Sequence, residues 1–159
     1  MTLQCTGPGG YLLSDDQSRL DLDRCHAWLA SSYWANDRTR ERMERSFAHS
    51  RVYGVYTPDG EQVGLTRAVT DEATFCWLAD VFVDESVRGH GIGTWMVKAI
   101  VEQLKALEVT RFILGTRDAH GVYAKVGFEP PSVPEIYMEL DLRENRPTRD
   151  NVDPSVLRS

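Results

Sequence analysis

The stretch Phe75 to Thr94, FCWLADVFVDESVRGHGIGT, determines how the centre of this chain folds. It begins with a mostly apolar run of strand length, Phe75 to Val83, and continues through a short charged turn, Asp84 to Val87, into a glycine-rich segment. Beyond that segment, apolar residues recur at helical spacing as far as Leu107. The stretch therefore predicts a strand, a glycine-rich turn and a helix, in that order.

A glycine-rich turn at the start of a helix is suited to binding an anion. The first N–H groups of a helix have no backbone partner, and the helix dipole adds partial positive charge at that end. Gly89, Gly91 and Gly93 remove side chains that would hold a phosphate away from those amides, and Arg88 adds a positive charge. The dinucleotide fingerprint G-x-G-x-x-G and the P-loop G-x-x-x-x-G-K-[ST] do not occur here. A plain tight connection between strand and helix stays open as the alternative.

Two motifs resemble signatures of the GNAT acetyltransferase superfamily. The pattern R-x-x-G-x-G, from Arg88 to Gly93, is similar to the segment with which that family grips the diphosphate of acetyl-CoA. Further along, AHGVYAKVGF, from Ala119 to Phe128, is similar to a second signature, in which a tyrosine follows an alanine by four residues. The resemblance covers roughly residues 10 to 142, with the two motifs in the family's order.

The predicted fold class is α+β (α/β three-layer), with a GNAT-like mixed central sheet that is antiparallel in its first half and has a parallel pair flanked by helices. One domain, 1–142, is expected, with a polar and flexible tail at 143–159 that could instead dock on a partner. Residues 1–10 are expected to be loose. The predicted elements are a short strand at 11–13, helices at 20–30 and 37–49, a hairpin of 51–57 and 61–69, a strand at 75–83, a helix at 91–107, a strand at 111–116, a short helix capped by Asp118 and ended by Gly127, and a last strand at 135–142.

Composition limits the kind of partner. A formal charge of -6 and a pI near 5.2 argue against nucleic acid, because binding its phosphates needs a basic face. No apolar run approaches the length that spans a bilayer, so no membrane partner is expected. Three cysteines at no metal-ligand spacing indicate buried thiols and a reducing, cytoplasmic location. Oligomeric state stays open, although homodimers are frequent in the family that the motifs resemble.

The resemblance implies acetyl-CoA as co-substrate and no metal. Main-chain groups of Val81, Phe82 and Val83 would contact the pantetheine arm. Many family members carry Asn at the position of Thr116, whose hydroxyl can also form a hydrogen bond to the cofactor. The pyrophosphate would be held by Arg88, Gly89, His90, Gly91, Ile92, Gly93 and Thr94.

Acetyl transfer to an amine needs a neutral amine, a donor for the developing oxyanion and a proton for the departing thiolate. By motif position, Tyr123 matches the family's general acid, since a phenol ionises near pH 10, at about three units above neutrality. The main-chain N–H around Val81 matches its oxyanion donor. Asp80 interrupts an apolar strand beside that point and is the candidate general base. The alternatives are a packing tyrosine at 123 and an Asp80 that pairs with Arg67.

The acceptor side of the site is predicted in the loop between the first two helices. In the family, this loop overhangs the acceptor, so Tyr33 and Trp34 are candidate pocket walls. The arginines of the second helix are expected to form a solvated face paired with Glu41 and Glu44; they are Arg38, Arg40, Arg42 and Arg45.

The predicted function is that of an N-acetyltransferase, transferring acetyl from acetyl-CoA to a primary amine of a small molecule or peptide by direct attack in a ternary complex. A non-catalytic acyl-CoA-binding sensor or interaction module is the alternative from another class. Transfer of a larger acyl group is a third possibility.

Overall fold

The computed structural model describes residues 2–144, 146–152 and 154. The backbone divides into two units, residues 1–114 and 115–159. The first unit contains the whole sheet and three of the helices described below. The second contains one short helix and three-residue turns of 3-10 helix.

The first unit contains strands β1 to β6 and helices α1 to α3. The strands are β1 (Gln4–Thr6), β2 (Leu12–Ser14), β3 (Arg51–Tyr56), β4 (Gln62–Thr70), β5 (Cys76–Val83) and β6 (Phe112–Ile113). The helices are α1 (Leu22–Ser31), α2 (Arg40–Ala48) and α3 (Ile92–Lys105). Side chains of Asp21 and Thr39 accept hydrogen bonds from the first turns of α1 and α2, which fixes where those helices begin.

The six strands form one sheet in the order β1-β2-β3-β4-β5-β6. Neighbouring strands from β1 to β5 pair antiparallel. Strands β5 and β6, which helix α3 connects along the chain, pair parallel. The predicted mixed sheet, antiparallel first and parallel at its end, is therefore confirmed.

Helices cover both faces of this sheet. On one face, α1 and α2 pack over Val52 and Leu65, in a core cluster that also contains Leu29 and Phe47. Because neighbouring residues of a strand point to opposite faces, Tyr53 and Thr66 face the other side. There the Tyr53 hydroxyl donates a hydrogen bond of 2.8 Å to Gln103 of α3, and the Thr66 hydroxyl lies 3.1 Å from the Met96 sulfur. The sheet is thus the middle layer of three.

The N-terminal segment is more ordered than its composition predicts. Residues 4–6 form β1, which pairs with β2 in register from Gln4 opposite Ser14. The Asp15 carboxylate accepts a 2.7 Å hydrogen bond from the Leu3 N–H. The prediction that residues 1–10 are loose is wrong for the described part, since strand pairing compensates for the Gly-Pro composition.

The second unit contains α4 (His120–Ala124) and lacks the predicted last strand. Residues 134–136 form a 3-10 turn, and no strand is assigned to 137–142. The apolar residues that define the predicted strand face are exposed, Met138 at 98%. The prediction of a strand at 135–142 is wrong, because alternation alone does not make a strand without a partner to complete its hydrogen bonds.

Helix α4 also differs from the prediction at its ends. Its N-cap is Ala119 rather than Asp118, and it ends before Gly127, which has a positive φ of 104°. In the predicted tail, a single 3-10 turn occupies Arg149–Asn151, and positions 145, 153 and 155–159 lie outside the described residues. The domain boundary at 142 stays a prediction. Of the helices described, none is long and apolar enough to cross a bilayer.

Candidate functional site

The glycine-rich turn opens the N-terminus of α3. Gly89 and Gly91 have positive φ values of 84° and 75°, a backbone region that side chains disfavour. Gly91 is the N-cap of α3, and among the described residues no side chain forms a hydrogen bond to this cap. The space where a Cβ of Gly89 or Gly91 would stand is open. Exposed main-chain N–H groups at a helix start, with no side chains in front of them, are the geometry that binds a phosphate.

Arg88 lies at the entry to this turn and is tied to the end of β5. Its Nε donates a 2.8 Å hydrogen bond to the Val83 carbonyl, and its guanidinium stands 5.3 Å from the centre of the Phe82 ring. His90 places Nδ1 3.2 Å from the Val87 carbonyl. The guanidinium is therefore held beside the turn by contacts that leave its terminal nitrogens available to an anion.

Strands β5 and β6 part before β5 ends. Their ladder consists of Cys76 opposite Phe112 and Trp77 opposite Ile113, whereas β5 continues to Val83. Within the described residues, the main chain of 79–83 therefore has no β6 partner on that edge. This unpaired stretch includes Val81, Phe82 and Val83, for which the resemblance implies contacts to a pantetheine arm.

A β-bulge interrupts β5 within this unpaired stretch. Leu65 lies opposite Phe82 and Arg67 opposite Ala79, so that Asp80 and Val81 together face Thr66. Asp80 adopts a positive φ of 54°, which is rare for a residue with a side chain. A bulge interrupts the ladder locally and re-aims the groups around it. The bulge thus sets the direction of the main chain at Val81, the predicted oxyanion donor.

The Asp80 side chain is buried and holds three donors. Its Oδ2 accepts 2.7 Å hydrogen bonds from Arg38 Nη1 and Arg67 Nε, and its Oδ1 accepts one of 3.2 Å from Trp34 Nε1. Only 1% of the carboxylate side chain is exposed. Burial by itself raises the pKa of Asp80, but the guanidiniums of Arg67 and Arg38 outweigh it and hold the pKa below its ordinary value.

These contacts weaken Asp80 as a general base. A carboxylate with a lowered pKa and both oxygens engaged has little tendency to accept a proton from an amine. The pairing with Arg67 is the alternative that the sequence left open. Arg38, in contrast, was expected to belong to a solvated face, and that expectation is wrong because its guanidinium turns inward to the carboxylate.

The loop after α1 reaches the same point. Trp34 bonds to Asp80, and its ring packs edge-on against Tyr33 with centres 5.0 Å apart. Both aromatic side chains are half-buried. The predicted pocket-wall residues are therefore brought to the bulge of β5.

The second unit contains the other predicted residues. Tyr123 lies on α4, half-buried, with its ring edge-on to Phe128 at 6.0 Å between centres. The Thr116 hydroxyl accepts a 3.1 Å hydrogen bond from the Ala119 N–H, which shapes the turn before α4. The hydroxyl hydrogen of Thr116 can still be donated to another group.

A cavity on the α2 side was not foreseen. It measures about 480 Å³ and is lined by Arg38, Arg42, Arg45, Ser46, His49 and Arg67. The signal in the sequence was the spacing of these residues, since 38, 42, 45 and 49 recur at three- and four-residue steps. The same spacing is typical of an ordinary solvated helix face, and the sequence does not show that Arg67 of β4 lies beside these residues.

Comparisons with known proteins show what this chain is similar to. A family model described as the acetyltransferase (GNAT) family matches residues 18–128. A curated protein of Gibberella zeae, provisionally named an acetyltransferase, is 30% identical over 137 residues, 74% of this chain and 77% of that protein.

Two solved structures are also similar to this chain. A crystal structure from Xanthomonas campestris pv. campestris, provisionally described as a GNAT-family acetyltransferase, has a TM-score of 0.79 and 36% identity, covering 86% of this chain and 96% of that one. N-acetylglutamate synthase from Neisseria gonorrhoeae, complexed with coenzyme A and N-acetyl-glutamate, has a TM-score of 0.65 and 19% identity. That match covers 79% of this chain and 30% of the synthase, and it concerns the fold alone.

Proposed function

This chain belongs to the GNAT family of acetyltransferases, and from that premise we propose that it transfers acetyl from acetyl-CoA to a primary amine of a small molecule or peptide. The amine attacks directly within a ternary complex. The observation that carries this proposal is the open glycine turn at the start of α3, beside the edge of β5 that β6 leaves unpaired.

The chain's own groups fit the cofactor. At Gly89 and Gly91 the space that a Cβ would occupy is open, which leaves room for a diphosphate near the helix N–H groups. Arg88 adds a positive charge beside the turn. His90 lies in the turn, and Ile92, Gly93 and Thr94 begin α3, where Ile92 is buried and contributes through its main chain. Main-chain groups of Val81, Phe82 and Val83 lie along the unpaired edge, at which a pantetheine arm can form hydrogen bonds.

The reaction needs a thioester donor, which acetyl-CoA supplies when bound. The main-chain N–H at the bulge, around Val81, stabilises the charge that develops on the acetyl oxygen. The Tyr123 hydroxyl gives its proton to the sulfur as the bond to the acetyl carbon breaks. The role of Tyr123 rests on its place in the motif Ala119 to Phe128. Thr116 supports the cofactor through its free hydroxyl hydrogen.

Asp80 acts in this scheme chiefly through position. Its carboxylate fixes Arg38, Arg67 and Trp34 around the bulge. The proton of the amine passes to water or to a base other than Asp80. Tyr33 and Trp34 form a wall of the acceptor pocket.

Replacement of the tyrosine tests the enzyme directly. With acetyl-CoA and a panel of primary amines, the wild type should release CoA and form acetylated product, measured by thiol titration and mass spectrometry. Tyr123→Phe should lower kcat by about a hundredfold or more, because the thiolate then leaves without a proton. Tyr137→Phe, in an exposed tyrosine outside both motifs, serves as the matched control and should leave kcat unchanged.

Two outcomes would count against this scheme. Equal kcat in Tyr123→Phe and the wild type would remove the acid role from Tyr123. Tight CoA binding without turnover over a broad amine panel would instead favour a non-catalytic acyl-CoA-binding module.

A further inference from the structure

The cavity beside α2 concentrates positive charge in an acidic protein. Four of its six lining residues are arginines, whereas the whole chain has a formal charge of -6. It belongs entirely to the first unit. It has a volume of about 480 Å³ and is widely open to solvent.

The charges of the α2 arginines that line the cavity are less neutralised by acidic partners than the charge of Arg40, which lies outside it. Arg40, which does not line the cavity, pairs with both Asp23 and Glu44. Arg42 lines it, and among the described residues its guanidinium has no acidic or hydrogen-bonding partner. Within the described part of the chain, the acidic partner of Arg45 is Glu41, at 3.9 Å. Both members of this pair are exposed, so that it contributes little.

The floor of the cavity is also incompletely neutralised. Arg38 and Arg67 share a single carboxylate, that of Asp80. Two guanidiniums against one buried carboxylate leave a net positive charge there. Together with Arg42, the lining can therefore accept at least one anionic group, and guanidinium forks match the geometry of carboxylate and phosphate.

The cavity is connected to the reaction site proposed above. Asp80, which binds two of the lining arginines, is the residue before Val81 in the bulge of β5. Trp34 of the predicted acceptor loop binds the other oxygen of the same carboxylate. Two lining arginines and the predicted acceptor loop are therefore joined through the same carboxylate.

Resting on the proposed function, we propose that the acceptor amine carries a carboxylate or phosphate group and that this cavity binds it. Arg42 is the residue that contacts the anionic group directly. Arg38 and Arg67 contribute their charge from below, and the carboxylate of Asp80 keeps them in place. The enzyme is then selective for anionic amines, despite an overall acidic surface that alone would favour cationic ones.

Paired acceptors test this selectivity. The common α-amino acids are assayed against their α-carboxamides, and glucosamine 6-phosphate against glucosamine, at saturating acetyl-CoA. In the pair that the enzyme accepts, kcat/KM for the anionic member should exceed that for the neutral member by about tenfold or more, chiefly through a lower KM. The carboxylate and phosphate arms show which anion is used.

A substitution links the selectivity to the cavity. Arg42→Gln should raise KM for the anionic acceptor by about tenfold and leave KM for its neutral partner unchanged. Arg40→Gln, the matched control on the same helix, should leave both unchanged. Both arginines lie on the solvent side of α2, so neither variant threatens the core.

The possible failures are distinguishable. Equal kcat/KM within every pair, or an equal loss for both members in Arg42→Gln, would overturn the anionic-acceptor proposal while acetyl transfer itself stands. If no acceptor of either kind releases CoA, the proposed function fails and this inference with it.

Discussion

Asp80 unites two unusual features in a single residue, a positive φ of 54° and a buried carboxylate with three donors. The backbone strain is maintained because the surrounding hydrogen bonds over-determine the position of the side chain. Sequence reasoning found Asp80 because a charged residue interrupts an apolar strand. It could not find Arg38, because only the folded chain brings position 38 to position 80.

Loss of the Asp80 charge should destabilise the protein in a pH-dependent way. Asp80→Asn leaves two guanidiniums without their shared carboxylate and should lower the free energy of unfolding near pH 7 by about 3–5 kcal/mol. The folded-state pKa of Asp80 is lowered, so the wild-type carboxylate stabilises the fold above the unfolded pKa of about 4 and loses that contribution as pH falls through the folded value. The difference between the two proteins should therefore shrink in acid.

Urea denaturation of both proteins between neutral and acidic pH measures this difference. Asp23→Asn, in an exposed pair with Arg40, is the control and should show little change at any pH. A penalty for Asp80→Asn that does not depend on pH would show that packing, rather than the ion pairs, is responsible.

At the next scale, the combination of β5, the glycine turn and α3 positions the predicted cofactor site. Its strand and helix could be predicted from sequence because each has a strong and different periodicity, and the observed bounds Cys76–Val83 and Ile92–Lys105 agree closely with that prediction. The bulge at Asp80 and Val81 could not be predicted from sequence, because a bulge depends on the register between β5 and β4. At 135–142 the sequence predicts a strand that the structure does not contain, because the alternating apolar pattern has no neighbouring strand to pair with.

A side chain at the N-cap of α3 should block the cofactor. Gly91→Val should weaken acetyl-CoA binding by tenfold or more, because its methyl groups would occupy the space in front of the helix N–H groups. The same change also strains the backbone, by about 1–3 kcal/mol, because φ at Gly91 is 75°.

Gly60→Val separates these two effects. Gly60 has a φ of 91° and open space at its Cβ, but it lies in the turn between β3 and β4. Both variants should lose similar thermal stability, and only Gly91→Val should lose affinity in a thermal-shift titration with acetyl-CoA. Equal affinity in the two variants would mean that the turn at 89–94 does not contact the cofactor.

For the whole molecule, fold and family could be recognised from two short motifs, while the acceptor could not. The motifs lie within the part of the chain that the family model matches, and they depend on local backbone geometry. The proposed acceptor side depends on side chains that α2, β4, β5 and the loop around Trp34 bring together from distant positions. The arginine cavity is therefore a property of the assembled sheet and helices rather than of any segment.

Acetyl-CoA binding without a metal is the claim on which the rest depends. Isothermal titration calorimetry of the wild-type chain with acetyl-CoA, in buffer containing EDTA, tests it most directly. The account predicts saturable heat with one cofactor molecule per chain, because main-chain N–H groups and Arg88 neutralise the diphosphate. Absence of heat at millimolar acetyl-CoA, or binding that requires an added divalent cation, would contradict it.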